Sequence, residues 1–202
     1  NNNTKKFANY WIHNGFVTIN NEKMSKSLGN IISITDAVKK YSGQVVRLAL
    51  LSAHYSQPLD WNDQLLKNQE VVLNKWYNLY IDEKDNTAEV DEILLDDLNT
   101  PGFIAKIHEL YNEAIKGDQK KKLKFNQACK LLGLFNLSKK DWENLKRKKI
   151  SVSESFIAKK IEERIVAKKK GDFSLADKIR DELSSKGVLI EDQKGKTIWK
   201  LK

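Results

Sequence analysis

The sequence has few of the residues that mark the more specialised classes of protein. It contains one cysteine, Cys129, two prolines and nine glycines among 202 residues. A single cysteine excludes an intramolecular disulfide framework and a zinc cluster built from this chain's own thiolates. The small numbers of proline and glycine exclude collagen-like repeats and proline-rich linkers. No apolar run approaches the roughly 18 residues that cross a bilayer, which excludes a membrane-spanning helix.

The amino terminus carries none of the usual start or targeting signals. The chain opens with Asn-Asn-Asn-Thr and has no initiator methionine, apolar signal core or amphipathic presequence there. We therefore expect residue 1 to be an internal position of a longer protein or the start of a processed one. We also expect a monomer that works in the cytoplasm and makes no membrane contact.

Positive charge is in excess and is unevenly distributed. The formal net charge is +9 and the isoelectric point is near 9.4. Residues 139–180 hold 14 Lys and Arg against 7 Asp and Glu, which accounts for +7 of the total. Such a balance favours a polyanionic partner, either nucleic acid or an anionic membrane face. A lysine-rich, solvated helix face would give the same composition, so charge alone leaves both interpretations open.

The spacing of apolar residues predicts a mainly helical chain with a small α+β end. The expected elements are an extended region over 7–20, a polar loop over 22–30, helices over 33–41, 45–52, 63–81, 92–98, 100–114 and 125–134, a short helix at 141–146, helices over 153–170 and 173–186, and a hairpin of 188–190 with 197–199. Ser33 or Thr35 would cap the first helix, and Thr100 would cap another with Pro101 at its first position. The predicted core of the terminal unit consists of Phe156, Ile161, Leu175, Ile179, Leu183 and Trp199.

The segment most informative about chemistry is the loop Lys23-Met-Ser-Lys-Ser-Leu-Gly-Asn30. Its two lysines lie three residues apart with hydroxyl groups between them, which suits a triphosphate: the ammonium groups supply charge, and Ser25 and Ser27 can donate hydrogen bonds. Composition alone also fits an ordinary exposed loop. The literal string KMSKS, however, is the second nucleotide-binding motif of class I aminoacyl-tRNA synthetases.

Other blocks narrow this resemblance. They are Tyr10-Trp-Ile-His-Asn-Gly15, Ser52-Ala-His-Tyr55 with Pro58-Leu59, Asp96-Asp-Leu-Asn-Thr-Pro101, and Lys178-Ile-Arg-Asp-Glu-Leu183 followed by Gly187 and Ile190-Glu-Asp192. Together they resemble the C-terminal part of a cysteinyl-tRNA synthetase, from Phe7 to Lys202. The resemblance is specific because several separate blocks occur in the right order.

This resemblance implies an enzyme that activates L-cysteine with ATP and Mg²⁺ and transfers it to tRNA(Cys). It implies that Lys26 contacts ATP and stabilises the departing pyrophosphate, that Lys23 assists, and that Met24, Ser25 and Ser27 complete the ATP-binding loop. The family's HIGH-type motif and zinc ligands are absent from this sequence, and we assign no metal to His13, His54 or His108. We therefore expect the 202-residue chain alone to be inactive.

The resemblance also implies anticodon recognition near the carboxyl end. It places Phe173, Asp177 and Asp192 at base-reading positions, with Lys168 where better-known members have Arg. Splayed bases are read by aromatic stacking and by polar groups on their edges, and carboxylates accept from cytosine and guanine amino groups. Judged without the resemblance, Phe173 would be a core residue and Asp177 a solvated one. Cys129, in an apolar helical context, is expected to be a core residue.

The resulting division has four parts: residues 1–30 end a catalytic nucleotide-binding domain, 31–61 form a connecting fold, 62–150 form an antiparallel helical bundle, and 151–202 form an anticodon-binding unit. Two alternatives remain open. One is a free-standing, non-catalytic tRNA-binding module, and the other is a ligase that joins cysteine to an amino sugar and shares the KMSKS loop. A sugar acceptor gives no reason for an anticodon-binding unit.

Overall fold

The structure is a computed structural model that describes residues 7–82, 91–148, 152–193 and 196–201. Contacts within the chain divide it into two compact units, Asn1–Asn136 and Leu137–Lys202. The described residues are mainly helical, as predicted, and form two small sheets, of which the hairpin near the carboxyl end was predicted. None of the helices in the described ranges is long and apolar enough to cross a membrane. The domain boundaries predicted after residues 30, 61 and 150 stay predictions.

The first unit begins with a small three-stranded sheet. Strand β1 (Val17–Ile19) lies between β2 (Glu22–Lys23), to which it is antiparallel, and β3 (Leu59–Trp61), to which it is parallel. The prediction of an extended region over 7–20 was wrong in its extent, because residues 7–16 have no regular structure. The prediction rested on the aromatic and β-branched composition, which favours strands whose side chains pack against a core. Aromatic side chains here, such as Phe7 and Tyr10, are almost fully exposed.

Two capped helices follow the sheet. Helix α1 (Ile34–Lys40) begins after Ser33, whose hydroxyl accepts from the backbone N–H of Asp36, so Ser33 rather than Thr35 is the cap. Helix α2 (Gly43–Leu51) is capped in the same way by Ser42. Its apolar residues Val45, Val46, Leu48 and Ala49 are buried, which accounts for the strongly apolar sequence.

Further helices complete the described part of the first unit, and three of them contribute to an aromatic core. They are α3 (Asp63–Trp76), which continues as a 3₁₀ turn (Tyr77–Leu79), α4 (Glu92–Leu95), α5 (Thr100–Ala114) and α6 (Gln119–Leu131). Trp76 and Phe125 meet edge to face with ring centroids 5.8 Å apart, and Phe135 packs against Phe125. The predicted cap of α5 was wrong: Asn99 accepts from the N–H of Gly102, and the Thr100 hydroxyl instead donates to the carbonyl of Leu51.

In its described ranges, the second unit contains three helices and one hairpin. Its elements are α7 (Lys139–Lys148), α8 (Glu154–Lys169), α9 (Phe173–Ser185), β4 (Val188–Gln193) and β5 (Lys196–Leu201). Its buried core consists of Ile157, Ile179, Leu183, Val188 and Ile190, with Phe156, Ile161, Val152 and Trp199 partly buried against it. The prediction of Leu175 as a core residue was wrong, because α9 buries Ala176, Ile179 and Leu183 and leaves Leu175 45% exposed.

Candidate functional site

The segment with the literal KMSKS string, residues 23–30, is here called the lysine–serine loop. It follows a two-residue hairpin in which Asn20 and Asn21 both have positive φ (51° and 66°) between β1 and β2. Tight hairpins need this left-handed geometry, which Asn tolerates better than most residues. The pair Asn20-Asn21 is therefore a local signal for the hairpin that the sequence interpretation missed.

Side-chain hydrogen bonds close the lysine–serine loop into a compact turn. The Asn30 amide group accepts from the backbone N–H of Ser25 at 2.8 Å and donates to the carbonyl of Lys23 at 3.2 Å. The hydroxyl groups of Ser25 and Ser27 lie 3.2 Å apart, and the N–H of Leu28 donates to the Ser25 hydroxyl. The hydroxyl groups thus first stabilise the turn itself, which holds the backbone around Lys26 in place.

The two lysines of this loop point their charge into solvent. Lys23 and Lys26 are both exposed, and in the part of the chain that the structure describes neither forms a salt bridge. Met24 between them is half-buried and lines a small apolar cavity of about 120 Å³ together with Ile32 and Trp61. The loop is thus anchored by Met24 and presents two ammonium groups that are free to meet an anionic ligand.

Three charged side chains and one hydroxyl in the second unit form a different arrangement, here called the Asp192 cluster: Arg164, Lys168, Asp192 and Thr197. Both nitrogens of the Arg164 fork donate to Asp192, at 3.0 and 3.1 Å. Lys168 Nζ donates to Asp192 Oδ2 at 2.6 Å, and the Thr197 hydroxyl donates to Oδ1 at 2.7 Å. These donors, Arg164 first, hold the pKa of Asp192 far below its ordinary value. The cluster joins α8 to both strands of the hairpin.

The sequence interpretation gave no role to Arg164, the buried arginine of the Asp192 cluster. Its side chain is only 6% exposed, although arginine is rarely buried without a partner. A signal was present: Ile157, Ile161 and Arg164 follow one another at spacings of four and three, so the arginine lies on the apolar face of α8. A charge on such a face requires a buried or half-buried counter-charge, which Asp192 supplies.

The other two residues predicted to read the anticodon, Phe173 and Asp177, are not hydrogen-bonded to the described residues of this cluster. Phe173, the first residue of α9, is 64% exposed, and Asp177, one turn later, is also exposed. A spacing of four places them on the same face of the helix. Within the described residues no hydrogen bond or ion pair joins Asp177 to Lys168 or Asp192. Phe173 is therefore not a core residue, and its ring is free to stack.

The histidines and the cysteine have surroundings that differ from one another. His54 Nε2 donates to the carbonyl of Asp97 at 2.8 Å, and Tyr55 donates to the Asp97 carboxylate at 2.6 Å, which joins two of the sequence blocks noted above. Burial lowers the pKa of His108, which packs edge-on against Trp76. Cys129 is fully buried, as predicted, and burial raises its pKa well above the ordinary value. Over the described ranges, no three His, Cys, Asp or Glu side chains are grouped as metal ligands.

Comparison with known proteins finds several cysteine–tRNA ligases. Residues 1–71 match the family model described as tRNA synthetases class I (C) catalytic domain. Over the whole chain, 50% of residues are identical to the cysteine–tRNA ligase of Pelagibacter ubique. The cysteine–tRNA ligases of Afipia carboxidovorans and Rickettsia canadensis are 38% and 36% identical over 98% and 96% of the chain. The chain spans 43–45% of the length of these three relatives.

Proposed function

We propose that this chain is the C-terminal region of a cysteine–tRNA ligase, which attaches cysteine to tRNA(Cys) at the expense of ATP. The observation that carries the proposal is the lysine–serine loop, a closed turn in which Lys23 and Lys26 form no salt bridge to any described residue. The loop lies in a chain that is 50% identical along its whole length to a curated cysteine–tRNA ligase. The match of residues 1–71 to a class I synthetase catalytic domain supports the same assignment.

The lysine–serine loop acts on the phosphates of ATP in this proposal. When the cysteine carboxylate attacks the α-phosphorus, the bond to pyrophosphate breaks and negative charge accumulates on the departing oxygens. Lys26 donates to those oxygens, and Lys23 neutralises charge beside it. An ammonium group that meets charge only as it develops stabilises the transition state more than the bound substrates. Ser25 and Ser27, with Met24 as an anchor, hold the turn in which Lys26 lies.

Metal ions enter this proposal only as partners of the intact protein. Mg²⁺ would accompany the ATP phosphates, and the resemblance implies a zinc ion that grips the cysteine thiolate. The described residues provide no grouped ligands for either ion. No step that we assign to this chain therefore passes through a metal that it holds itself.

The second unit is proposed to bind the anticodon. Phe173 is an exposed aromatic surface for stacking, and Asp177, on the same helix face, is an exposed carboxylate for a base amino group. Asp192 already accepts hydrogen bonds from Arg164, Lys168 and Thr197. Reading a base through Asp192 requires one donor to leave. Lys168, which is 39% exposed, can do so, whereas Arg164 at 6% cannot.

The test is cysteine-dependent exchange between ATP and pyrophosphate, measured on the full-length protein that carries this chain. Lys26→Ala should lower the exchange rate about a hundredfold, because one contact to transition-state charge is worth on the order of 3 kcal/mol. The KM for cysteine should change little. Lys67→Ala is the matched control, since Lys67 is an exposed lysine on α3. Unchanged exchange in Lys26→Ala would remove this residue from the mechanism.

The exchange assay separates the alternatives when tRNA binding and the acceptor of cysteine are measured beside it. Binding of tRNA with no exchange activity would identify a non-catalytic binding module, and exchange followed by transfer of cysteine to an amino sugar would identify the sugar ligase.

The isolated 202-residue chain is expected to show no exchange and to retain no stoichiometric zinc after dialysis. One tightly held zinc per chain would contradict that expectation.

A further inference from the structure

Asp60, on β3, is bonded to three separate parts of the first unit. Its Oδ1 accepts from the Thr18 hydroxyl of β1 at 2.8 Å and from the backbone N–H of Asn21 at 2.6 Å. Its Oδ2 accepts from the side chain of Asn62 at 2.7 Å, and Asn62 in turn caps α3. Sequence analysis gave Asp60 no role, because these partners lie up to 42 residues away along the chain.

The bond to Asn21 bears directly on the lysine–serine loop. Asn21 is the second of the two left-handed residues in the β1–β2 turn, and strand β2, which contains Lys23, begins at the next residue. Left-handed backbone at a non-glycine residue costs free energy and persists where surrounding contacts hold it. The Asp60 carboxylate is such a contact, because it accepts the turn's N–H while its own strand pairs with β1.

The opposite end of the lysine–serine loop is fixed by Asn30, which bonds the carbonyl of Lys23 and the N–H of Ser25. Between the two ties the chain turns once: the N–H of Gly29 donates to the carbonyl of Lys26, with Gly29 at φ +62°. Asp60 therefore fixes where the loop starts, together with the backbone bond from the Asn20 N–H to the Trp61 carbonyl, and Asn30 fixes where the loop closes. Of Asp60 and Asn30, Asp60 is the one that connects the loop to strand β3, and through Asn62 to helix α3.

We infer that Asp60 is a positioning residue for Lys23 and Lys26, which sets the direction in which the lysine–serine loop leaves the sheet. The inference rests on the proposed role of that loop in ATP activation. Asp60 touches no reacting atom; it acts through the turn at Asn21. Hydrogen bonds from Asn21, Asn62 and Thr18, in that order of size, lower the pKa of Asp60, so the carboxylate accepts from all three donors at neutral pH.

Three variants of the full-length protein test this role. Asp60→Ala removes all three accepted bonds. Asp60→Asn keeps an acceptor for Thr18 and Asn21 and loses the bond to Asn62. Asn62→Ser removes the same Asn62 bond but leaves a residue that caps helices well. Each variant is assayed for ATP–pyrophosphate exchange, with kcat and the KM for ATP and cysteine determined separately. Circular dichroism checks folding, and the hydrogen-exchange rate of the Asn21 amide reports on the turn.

Asp60→Ala is expected to lower kcat at least about tenfold, because small misplacement of a catalytic group is costly. The KM for cysteine should stay near the parental value, and the Asn21 amide should exchange faster. Asp60→Asn and Asn62→Ser should both keep kcat within about threefold of the parent, since the bonds to the turn remain. Parental kcat in Asp60→Ala with a faster-exchanging Asn21 amide would overturn the inference, as would an equal loss in Asp60→Asn.

Two further outcomes keep the tests separable. If Asp60→Ala does not fold, Asp60→Ser takes its place, because its shorter side chain cannot accept from Thr18, Asn21 and Asn62 together. Asp60→Ser should show a smaller loss of kcat and a faster-exchanging Asn21 amide; a parental kcat with the faster-exchanging amide would overturn the inference. If the parental protein shows no exchange at all, the proposed function fails. Protection of the Asn21 amide by Asp60 is still measured in that case, and its absence would overturn the structural part independently.

Discussion

Lys26 and Lys168 both lie on surfaces for which we propose an anionic partner, but their ammonium groups have different surroundings. Lys26 projects from a closed turn and forms no salt bridge to the described residues. Lys168 lies 2.6 Å from Asp192, which also binds the buried Arg164. A charge without a partner in the protein is available in full for binding a ligand. A charge already paired with another side chain contributes first to the stability of the fold. The effect of substituting it on the free energy of unfolding should therefore be measured before its effect on ligand binding.

The strongest test of this contrast is Asp192→Ala. It leaves the buried guanidinium of Arg164 without its counter-charge, and breaking a fully buried pair costs about 3–5 kcal/mol. Because Asp192 itself is half-exposed, we expect a loss of about 2–3 kcal/mol in the free energy of unfolding, measured by urea titration. Asp181→Ala, an exposed aspartate on α9, is the control and should change stability by less than about 0.5 kcal/mol.

The pH dependence of stability gives the same contrast an independent check. The pKa of Asp192 is lowered in the folded unit, so the unfolded chain binds this proton more readily. The stabilisation is complete above the ordinary aspartate pKa of 3.8 and is lost as the pH falls below it. Asp192→Asn should flatten this acid limb. An unchanged acid limb, or an Asp192→Ala protein as stable as its parent, would mean that the cluster does not stabilise the fold.

Another prediction concerns Phe173 and Asp177, which resemble Lys26 in being exposed and in forming no salt bridge to a described residue. Phe173→Ala should weaken tRNA binding by about 1–3 kcal/mol through lost stacking. Asp177→Ala should cost a similar amount against the cognate anticodon and relax discrimination at one base. Since both side chains are exposed, neither change should lower stability appreciably. Binding to tRNA(Cys) and to anticodon variants decides this; parental discrimination in Asp177→Ala would remove this carboxylate from base reading.

The smallest expected effect separates two neighbouring lysines. Lys169 is exposed and forms no salt bridge within the described ranges, whereas Lys168 is bonded to Asp192. Lys169→Gln should therefore reduce the slope of log affinity against log salt by about one unit for every tRNA alike. Lys168→Gln should reduce the slope by less, because its charge is already offset. Equal reductions would show that the bond to Asp192 opens when tRNA binds.

Local features of the sequence predicted much of this fold. Ser33 caps α1, and the apolar spacing gave most helices within a few residues. The polar loop predicted over 22–30 is confirmed for 24–30, whereas Glu22 and Lys23 form β2. The same local reasoning placed Leu175 in the core, because it could not tell which side of α9 faces the hairpin. What sequence could not supply were contacts between distant residues. Arg164 meets Asp192 across 28 positions and Asn21 meets Asp60 across 39. Spacing on α8 marks Arg164 as lying on an apolar face, but it does not identify Asp192 as its partner.

The parallel pairing of β1 with β3 also sets an order of events for a growing chain. Thr18 and Asp60 are 42 residues apart, so β1 has no partner on its far side until residues 59–61 have been made. At translation rates of roughly 5–20 residues per second, that interval lasts roughly 2–8 s. The entropy cost of closing so long a loop falls before the contacts between β1 and β3 can form. The turn that carries Lys26 can therefore reach its final conformation only after β3 has been synthesised. A nascent chain that ends before β3 contains the KMSKS string but lacks the strand and the Asp60 carboxylate that position it.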